Sequence, residues 1–298
     1  MNIATHSASL SIVIVSWNTA DLTSQCLNSI AQSDIEEVPE VVVVDNNSTD
    51  GSAVRIESEF PSVKLLKESK NLGYAAANNL GLRETSGDFV LALNPDTRLK
   101  PDALSQAIAI LQKDPLAGVV AAQLLNEDGS AQRSVRGFPR WAGIFGTMSG
   151  LDRAFPESSF GKYRLPSFDY AKPAEVEQPM GTFLLFRRAA LKAIGRESEP
   201  FDERFPIFFN EVDLLKALKD GGWKIRYEPS VQVFHVGGAS TRQVRPQMIW
   251  ESHRSLLRYF HKHDRSFGEK VATAVLTPVV LGSALVRARG VYGGFEPK

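Results

Sequence analysis

Two runs of β-branched apolar residues, Leu10 to Val15 and Val41 to Val44, read as buried strands. Between them Leu22, Cys26, Leu27 and Ile30 recur at helical spacing, so the first unit is strand, helix, strand. The pattern then predicts a helix over 54–60, a short strand over 63–66, a helix over 75–84 and a buried strand over 89–93. Pro101 suits the first turn of a helix running to about Lys113. Alternation of this kind predicts an α/β fold with a mostly parallel sheet flanked by helices.

The texture changes after a strand over 118–122. Residues 126–178 are rich in Gly, Pro, Ser and aromatics with weak periodicity, and read as long loops. Order resumes with a strand over 181–186, a helix from about Arg188, and a helix over 213–220 that Gly221 and Gly222 end. Strands are predicted over 224–227 and 231–236. Residues 247–263 form an amphipathic helix, with Ile249, Leu256, Leu257 and Phe260 on one face and a ridge of Arg254, Arg258 and Lys262 beside it. The uncharged run 271–286 spans 16 residues with Pro278 and Gly282 inside it. At about 1.5 Å per residue it reaches ~24 Å, short of a hydrocarbon core of ~30 Å, so it suits lying against a membrane better than crossing one.

With 298 residues, 43% of them hydrophobic, the chain can bury a large core. Lys+Arg and Asp+Glu both total 34, which argues against nucleic acid as a partner. The single cysteine, Cys26, excludes an internal disulfide and a cysteine-based zinc cluster. Residues 1–9 form a polar tail without the apolar core of a secretory signal, so a cytoplasmic location is expected.

The turn after the first strand, Ser16-Trp17-Asn18-Thr19, has no glycine, so it is not a dinucleotide-binding loop. The second strand ends in Asp45-Asn-Asn-Ser-Thr-Asp-Gly51, short polar side chains at the edge where open α/β sheets bind ligands. The same residues would also make an Asx turn and a helix cap. Leu93-Asn-Pro-Asp96 puts a carboxylate at another strand tip, suited to holding a hard cation against a diphosphate, or simply a rigid polar turn. Asp45 and Asp96 are expected to end neighbouring strands on one sheet edge. Between them Asn71-Leu-Gly-Tyr-Ala75 and Asn78 start a helix of small residues, where a ligand can approach backbone.

These motifs, with Val15-Ser-Trp-Asn18, Asp128-Gly-Ser-Ala-Gln-Arg133, Gly181-Thr-Phe183, Phe208-Phe-Asn-Glu-Val-Asp-Leu214 and His235-Val-Gly-Gly-Ala-Ser240, resemble the family 2 inverting glycosyltransferases of GT-A fold, especially the rhamnosyltransferase-like branch. The ordered motifs cover about residues 10–260. The resemblance implies a Rossmann-like GT-A domain over 10–240, with a nucleotide-binding half at 10–100 and an acceptor and catalytic half at 101–240. A C-terminal helical segment follows at 241–298.

It further implies that Asp45 contacts the base or ribose and that Ser16, Trp17 and Asn18 line the nucleoside pocket. Asn47, Asn71, Gly73, Asn78 and Asn94 would also face the nucleotide sugar. Asp96 matches the last acid of the family's metal motif, and Asn94 stands where its first acid often is, which should weaken metal binding. Glu211 takes the position of the catalytic base, where Asp is usual. Asp213 would brace its helix. His235 would join Asp96 as a ligand to Mg²⁺ or Mn²⁺. Arg242 and Arg245 could clamp phosphate oxygens, and Asp128, Gln132, Arg133, Gly181 and Thr182 would lie toward the acceptor.

The implied reaction moves a sugar from a nucleotide diphosphate, with dTDP-L-rhamnose favoured and UDP-sugars next, to a glycan on a polyprenyl diphosphate carrier. That acceptor would bring the C-terminal segment to the cytoplasmic face of a membrane as a peripheral protein. Packing on the catalytic domain or pairing with a second copy is the alternative for that segment. Two other classes remain: a nucleotide-sugar-binding protein without catalysis, and a nucleotidyltransferase. The second expects a glycine- and lysine-rich loop that residues 15–23 lack.

Overall fold

The computed structural model describes residues 9–238, 244–293 and 295. Its first half alternates as expected: β1 (Leu10–Ser16), α1 (Ala20–Ala31), β2 (Glu40–Asp45), α2 (Ser52–Glu59), β3 (Lys64–Lys67), α3 (Tyr74–Arg83), β4 (Phe89–Leu93), β5 (Thr97–Leu99), α4 (Ala103–Lys113) and β6 (Ala117–Leu125). The stretch read as loops holds β7 (Val135–Arg136), α5 (Trp141–Ser149), α6 (Leu151–Ala154), β8 (Ala174–Glu175) and β9 (Gln178–Pro179). Then follow β10 (Phe183–Arg187), α7 (Arg188–Ala193), α8 (Asn210–Asp220), β11 (Lys224–His235), α9 (Arg245–His263) and α10 (Phe267–Ala288).

The main sheet runs β3-β2-β1-β4-β10-β6-β11-β5, with β8 beside β11. β3, β2, β1 and β4 are parallel, and β10 is antiparallel to both β4 and β6. The sheet is therefore mixed. β1 separates β2 from β4, so the strands ending near Asp45 and Asp96 share an edge without being neighbours. Strand alternation divides the core. Ile12, Ile14, Val43 and Leu91 face α1, α2 and α4, while Val13, Val90, Ala121 and Phe186 face α3, α7 and α8.

Three elements differ from the sequence reading. β11 is one strand rather than two. Its register against β6 slips between Glu228 and Gln232, where Pro229 has no N–H to give the ladder. α5 is a nine-residue helix where loops were expected. The uncharged run lies inside α10, a helix of 22 residues with Glu269 and Lys270 in its first turn and Arg287 near its end, which is long and apolar enough, by length and composition alone, to cross a membrane.

The C-terminal helices pack on the body. α9 buries Met248, Trp250, Tyr259 and Phe260. The basic ridge expected along it is largely neutralised: Arg258 pairs with buried Glu251, and Lys262 reaches Asp202 at 2.7 Å and Asp213 at 2.6 Å.

Candidate active site

The carboxyl ends of β1, β2 and β4 open onto a cleft of about 590 Å³. Trp17, Asn18, Asn46, Asn47, Thr49, Asn71, Tyr74, Asn94, Asp96, Gly181, Thr182, Glu211 and His235 all line it. Asn18 and Asn47 take the left-handed conformation (φ 52° and 65°), which asparagine tolerates better than most residues. The loop after β2 is cross-tied. Ser48 N donates to Asp45 at 3.1 Å, Thr49 N donates to Asn18 Oδ1 at 2.8 Å, and Asp50 accepts from Ala20 N at 2.9 Å and Ser52 N at 3.0 Å. The Asx turns are present without an N-cap side-chain bond on α2, whose N-cap is Gly51, and Asp50 ties the two loops together to hold the edge in place. Buried Asn46 joins it to α3, donating to Asn71 Oδ1 at 2.9 Å and accepting from Leu72 N at 2.7 Å.

Not every predicted nucleotide residue faces the cleft. Ser16 is fully buried and shares its hydroxyl with Thr19 and Thr23. Asn78 donates to the Tyr74 carbonyl at 2.9 Å. Gly73 is needed for its backbone. At φ 85° it caps α3, and a Cβ there would meet the Pro206 carbonyl at 2.9 Å. Asp45 is buried, and its Oδ1 has no hydrogen-bond partner in the structure.

At the β4–β5 turn, Thr97 Oγ1 donates to the Asn94 carbonyl at 2.7 Å and Asn94 N donates to the Thr182 carbonyl at 2.9 Å. β5 pairs with β11 so that Thr97 lies opposite His235. This register puts His235 Nε2 3.6 Å from Asp96 Oδ1, both side chains buried. Burial lowers the His235 pKa, against the charge of Asp96, and so favours a neutral ring. Its Nδ1 lies 3.0 Å from Gln132 Oε1, and Gln132 Nε2 donates to the His235 carbonyl at 2.7 Å. Gln132 therefore supports His235 instead of reaching outward. With the proton on Nδ1, the Nε2 lone pair points toward a carboxylate, an arrangement that a cation between them would satisfy. Among the described residues no set of three or more His, Cys, Asp or Glu converges as a metal site.

Glu211 lines the same cleft from the first turn of α8. Phe209 precedes the helix in the left-handed conformation (φ 67°), a costly backbone for an aromatic residue. Gly181 lies flat against Glu211, since a Cβ there would sit 3.2 Å from Glu211 Cγ. Burial lifts the Glu211 carboxyl to about 7, against the pull of its own amide, Arg136 and the Val212 amide. The Tyr74 hydroxyl donates to the Gly181 carbonyl at 3.3 Å. Its pKa is raised by burial, with the charges of Glu211 and Asp96 adding to the effect, so one phenol senses both carboxylates.

The cleft thus joins a strand-edge pocket, an acid–imidazole pair and a carboxylate near neutrality, and similarity to known proteins converges on the same chemistry. Residues 11–195 match the sequence model of "Glycosyl transferase family 2". The chain belongs to glycosyl transferase family 2. It is 28% identical over 275 residues to a Mycobacterium tuberculosis N-acetylglucosaminyl-diphospho-decaprenol L-rhamnosyltransferase, covering 87% of this chain and 85% of that one. It is 33% identical over 250 residues to a Mesorhizobium japonicum N-acetylglucosaminyltransferase, covering 81% and 55%. A Pyrobaculum calidifontis mannosyltransferase solved with GDP-Man and Mn²⁺ aligns with TM-score 0.59 at 19% identity, over 96% of this chain and 76% of that one. S. aureus TarS aligns with TM-score 0.56 over 90% of this chain and 42% of that one. The fold is GT-A.

Beside Glu211 in this family 2 chain, Asp213 is fully buried and held by Arg196 at 2.8 Å, Lys262 at 2.6 Å and His263 at 2.8 Å. It braces α8 against α9. Asp213→Ala would take the carboxylate from Arg196 and His263 and leave Lys262 with Asp202 alone, and is expected to cost about 3 kcal/mol, read as a lower urea midpoint. Asp128 and Arg133 are exposed, and Asp128 accepts from Ser130 N at 2.9 Å within its turn. Arg242 lies outside the described residues. The sequence reading missed Asn46, Tyr74, Ile207, Phe208 and the α9 residue Met248 as cleft-lining groups. Asn46 and Tyr74 lay inside motifs already singled out, whereas Met248 reaches the cleft only through the packing of α9.

Proposed function

We propose that this chain is an inverting transferase that moves L-rhamnose from dTDP-L-rhamnose to a polyprenyl-diphosphate-linked glycan. The observation that carries the reading is one cleft holding both the Asp96–His235 pair and Glu211. The M. tuberculosis relative, matched over most of both chains, supports the donor sugar and the lipid-linked acceptor.

Ionised Glu211 takes the proton of the acceptor hydroxyl, whose oxygen attacks the anomeric carbon. The bond to the nucleotide diphosphate breaks, and its electron pair leaves on the β-phosphate oxygen. One displacement gives inversion. Asp96 and His235 would hold Mg²⁺ or Mn²⁺, which when bound supplies Lewis-acid neutralisation of the charge on the departing diphosphate. The β1 and β2 edge, with Asp45 beneath it, holds the nucleoside, and Tyr74 and Gly181 keep Glu211 in place. A soluble donor and a carrier-linked acceptor put the reaction at the cytoplasmic face of the membrane, with the chain bound peripherally.

A UDP-sugar donor is the second reading, favoured by the N-acetylglucosaminyltransferase relative. Incubation of the purified chain and a polyprenyl-diphosphate N-acetylglucosamine acceptor with dTDP-rhamnose, UDP-N-acetylglucosamine, UDP-glucose and GDP-mannose separates the two. Rhamnosyl product with dTDP-rhamnose is expected. Product from UDP-sugars alone would replace the donor assignment, and nucleotide binding without product from any donor would indicate a binding protein.

A further inference from the structure

We infer that α5, α6 and the adjoining apolar face of α10 form a docking surface for an anionic lipid bilayer. The surface lies apart from the cleft, and the inference rests on the proposed function only for the purpose the surface serves.

The first observation is exposed apolar bulk. Phe145 and Met148 on α5 are 52% and 53% exposed, and Phe155 just after α6 is 57% exposed. They follow a helix whose other side is tightly packed: a Cβ at Gly143 would press on Tyr163, and one at Gly146 on the Phe160 carbonyl. Phe145 and Met148 lie four and seven residues after Trp141 and so share its face. Trp141 Nε1 donates to Thr273 Oγ1 of α10 at 2.8 Å, so the two helices adjoin. α10 divides cleanly. Thr273, Val280, Ala284 and Ala288 are buried, whereas Phe267, Val271, Val275 and Val279 recur every four residues on the opposite, exposed side. The contacts of its buried side with the body turn the exposed apolar side of α10 outward, as a helix lying along a bilayer would present it.

The second observation is charge, and it selects the occupant. Residues 133–164 carry six cations (Arg133, Arg136, Arg140, Arg153, Lys162 and Arg164) against two acids, a local basic excess in a chain whose total charge is zero, and Arg140 is paired with Glu177 at 3.2 Å. All six cations are exposed. One of the acids, Asp152, is buried 3.7 Å from Arg164. Exposed aromatic and methionine side chains among cations make an interfacial surface suited to anionic headgroups. A second copy meeting this face across a two-fold axis would set the basic segment against itself, a repulsive pairing. An acceptor on a lipid carrier would then be presented to a transferase already seated on its bilayer.

The test is co-sedimentation of the full chain with vesicles of phosphatidylcholine alone or with about one-third phosphatidylglycerol, at low and high salt. Binding to the anionic vesicles is expected, weakened by salt through screening. The double variant Phe145→Asp/Met148→Asp should reduce it at least tenfold, and Arg153→Glu/Lys162→Glu should do so independently if the first pair folds poorly. Transfer to a water-soluble acceptor should be unchanged in either variant. Three results would overturn the inference: no vesicle binding, binding indifferent to both substitutions, or a vesicle-free dimer that Phe145→Asp/Met148→Asp dissociates. Vesicle binding by a chain that transfers no sugar would leave this surface standing and remove the transferase reading.

Discussion

Glu211→Gln is expected to lower transfer by about 10²- to 10⁴-fold, the range for a positioned general base, while leaving the affinity for nucleotide near that of the parent chain. Glutamine keeps the shape of the side chain packed on Gly181 and removes only its capacity to take a proton. The same substitution should stabilise the protein at alkaline pH. Burial raises the carboxyl from 4.5 to about 7 in the folded state, so ionising it opposes folding. That destabilisation is absent below the unfolded value, grows as pH rises between the two, and is complete above the folded value. The melting temperature of Glu211→Gln should therefore exceed that of the parent at pH 8, and the difference should fade toward pH 4. A residue serving only as a helix cap would give the opposite sign.

Asp96→Asn is the second large effect. It keeps the turn, whose Asp96 carbonyl accepts from Val236 N at 3.1 Å, and removes the charge facing His235 Nε2. Turnover is expected to fall by at least about a hundredfold, comparable with losing a group aimed at charge developing in the transition state. The binding readout is separate. Calorimetry should show nucleoside diphosphate affinity enhanced by Mn²⁺ in the parent chain and insensitive to Mn²⁺ in Asp96→Asn and in His235→Ala. Asn94→Asp, which restores a carboxylate on the cleft wall, should strengthen the Mn²⁺ effect. Equal Mn²⁺ enhancement in the parent and Asp96→Asn would remove Asp96 from the metal site.

How far the sequence was legible followed the physics of each segment. β1, β2 and β4 are buried nearly throughout, so unbroken β-branched runs marked them, and β4 matches its predicted bounds. α5 was not legible. Gly143 and Gly146 lower its intrinsic helix propensity, and only their contacts with Tyr163 and Phe160 make glycines the residues that fit there. Pro229 signalled a break within what is one strand, because its missing N–H is absorbed by a bulge. At the site, Asp96, Glu211 and His235 stood in motifs with ordered spacing, and the fold brings them to one cleft. Gln132 was misjudged because loop position carries no direction in sequence; the structure turns it inward onto His235. The α9 ridge looked free because the acidic partners of Lys262, Asp202 and Asp213, lie about fifty to sixty residues away, and because Glu251, the partner of Arg258 on the same helix, is buried only by the packing of α9.

A pH profile of turnover at saturating donor, acceptor and Mn²⁺ tests Glu211 as the catalytic base most directly, because it reads the titration of this one carboxyl. Desolvation holds Glu211 near 7, with the Arg136 charge opposing it and the Tyr74 hydroxyl remaining protonated beside it. Turnover should rise about tenfold per pH unit below 7 and level off above about 8, and the residual rate of Glu211→Gln should lack that limb. A parent profile flat from pH 5.5 to 8, or an acid limb kept in Glu211→Gln, would contradict it.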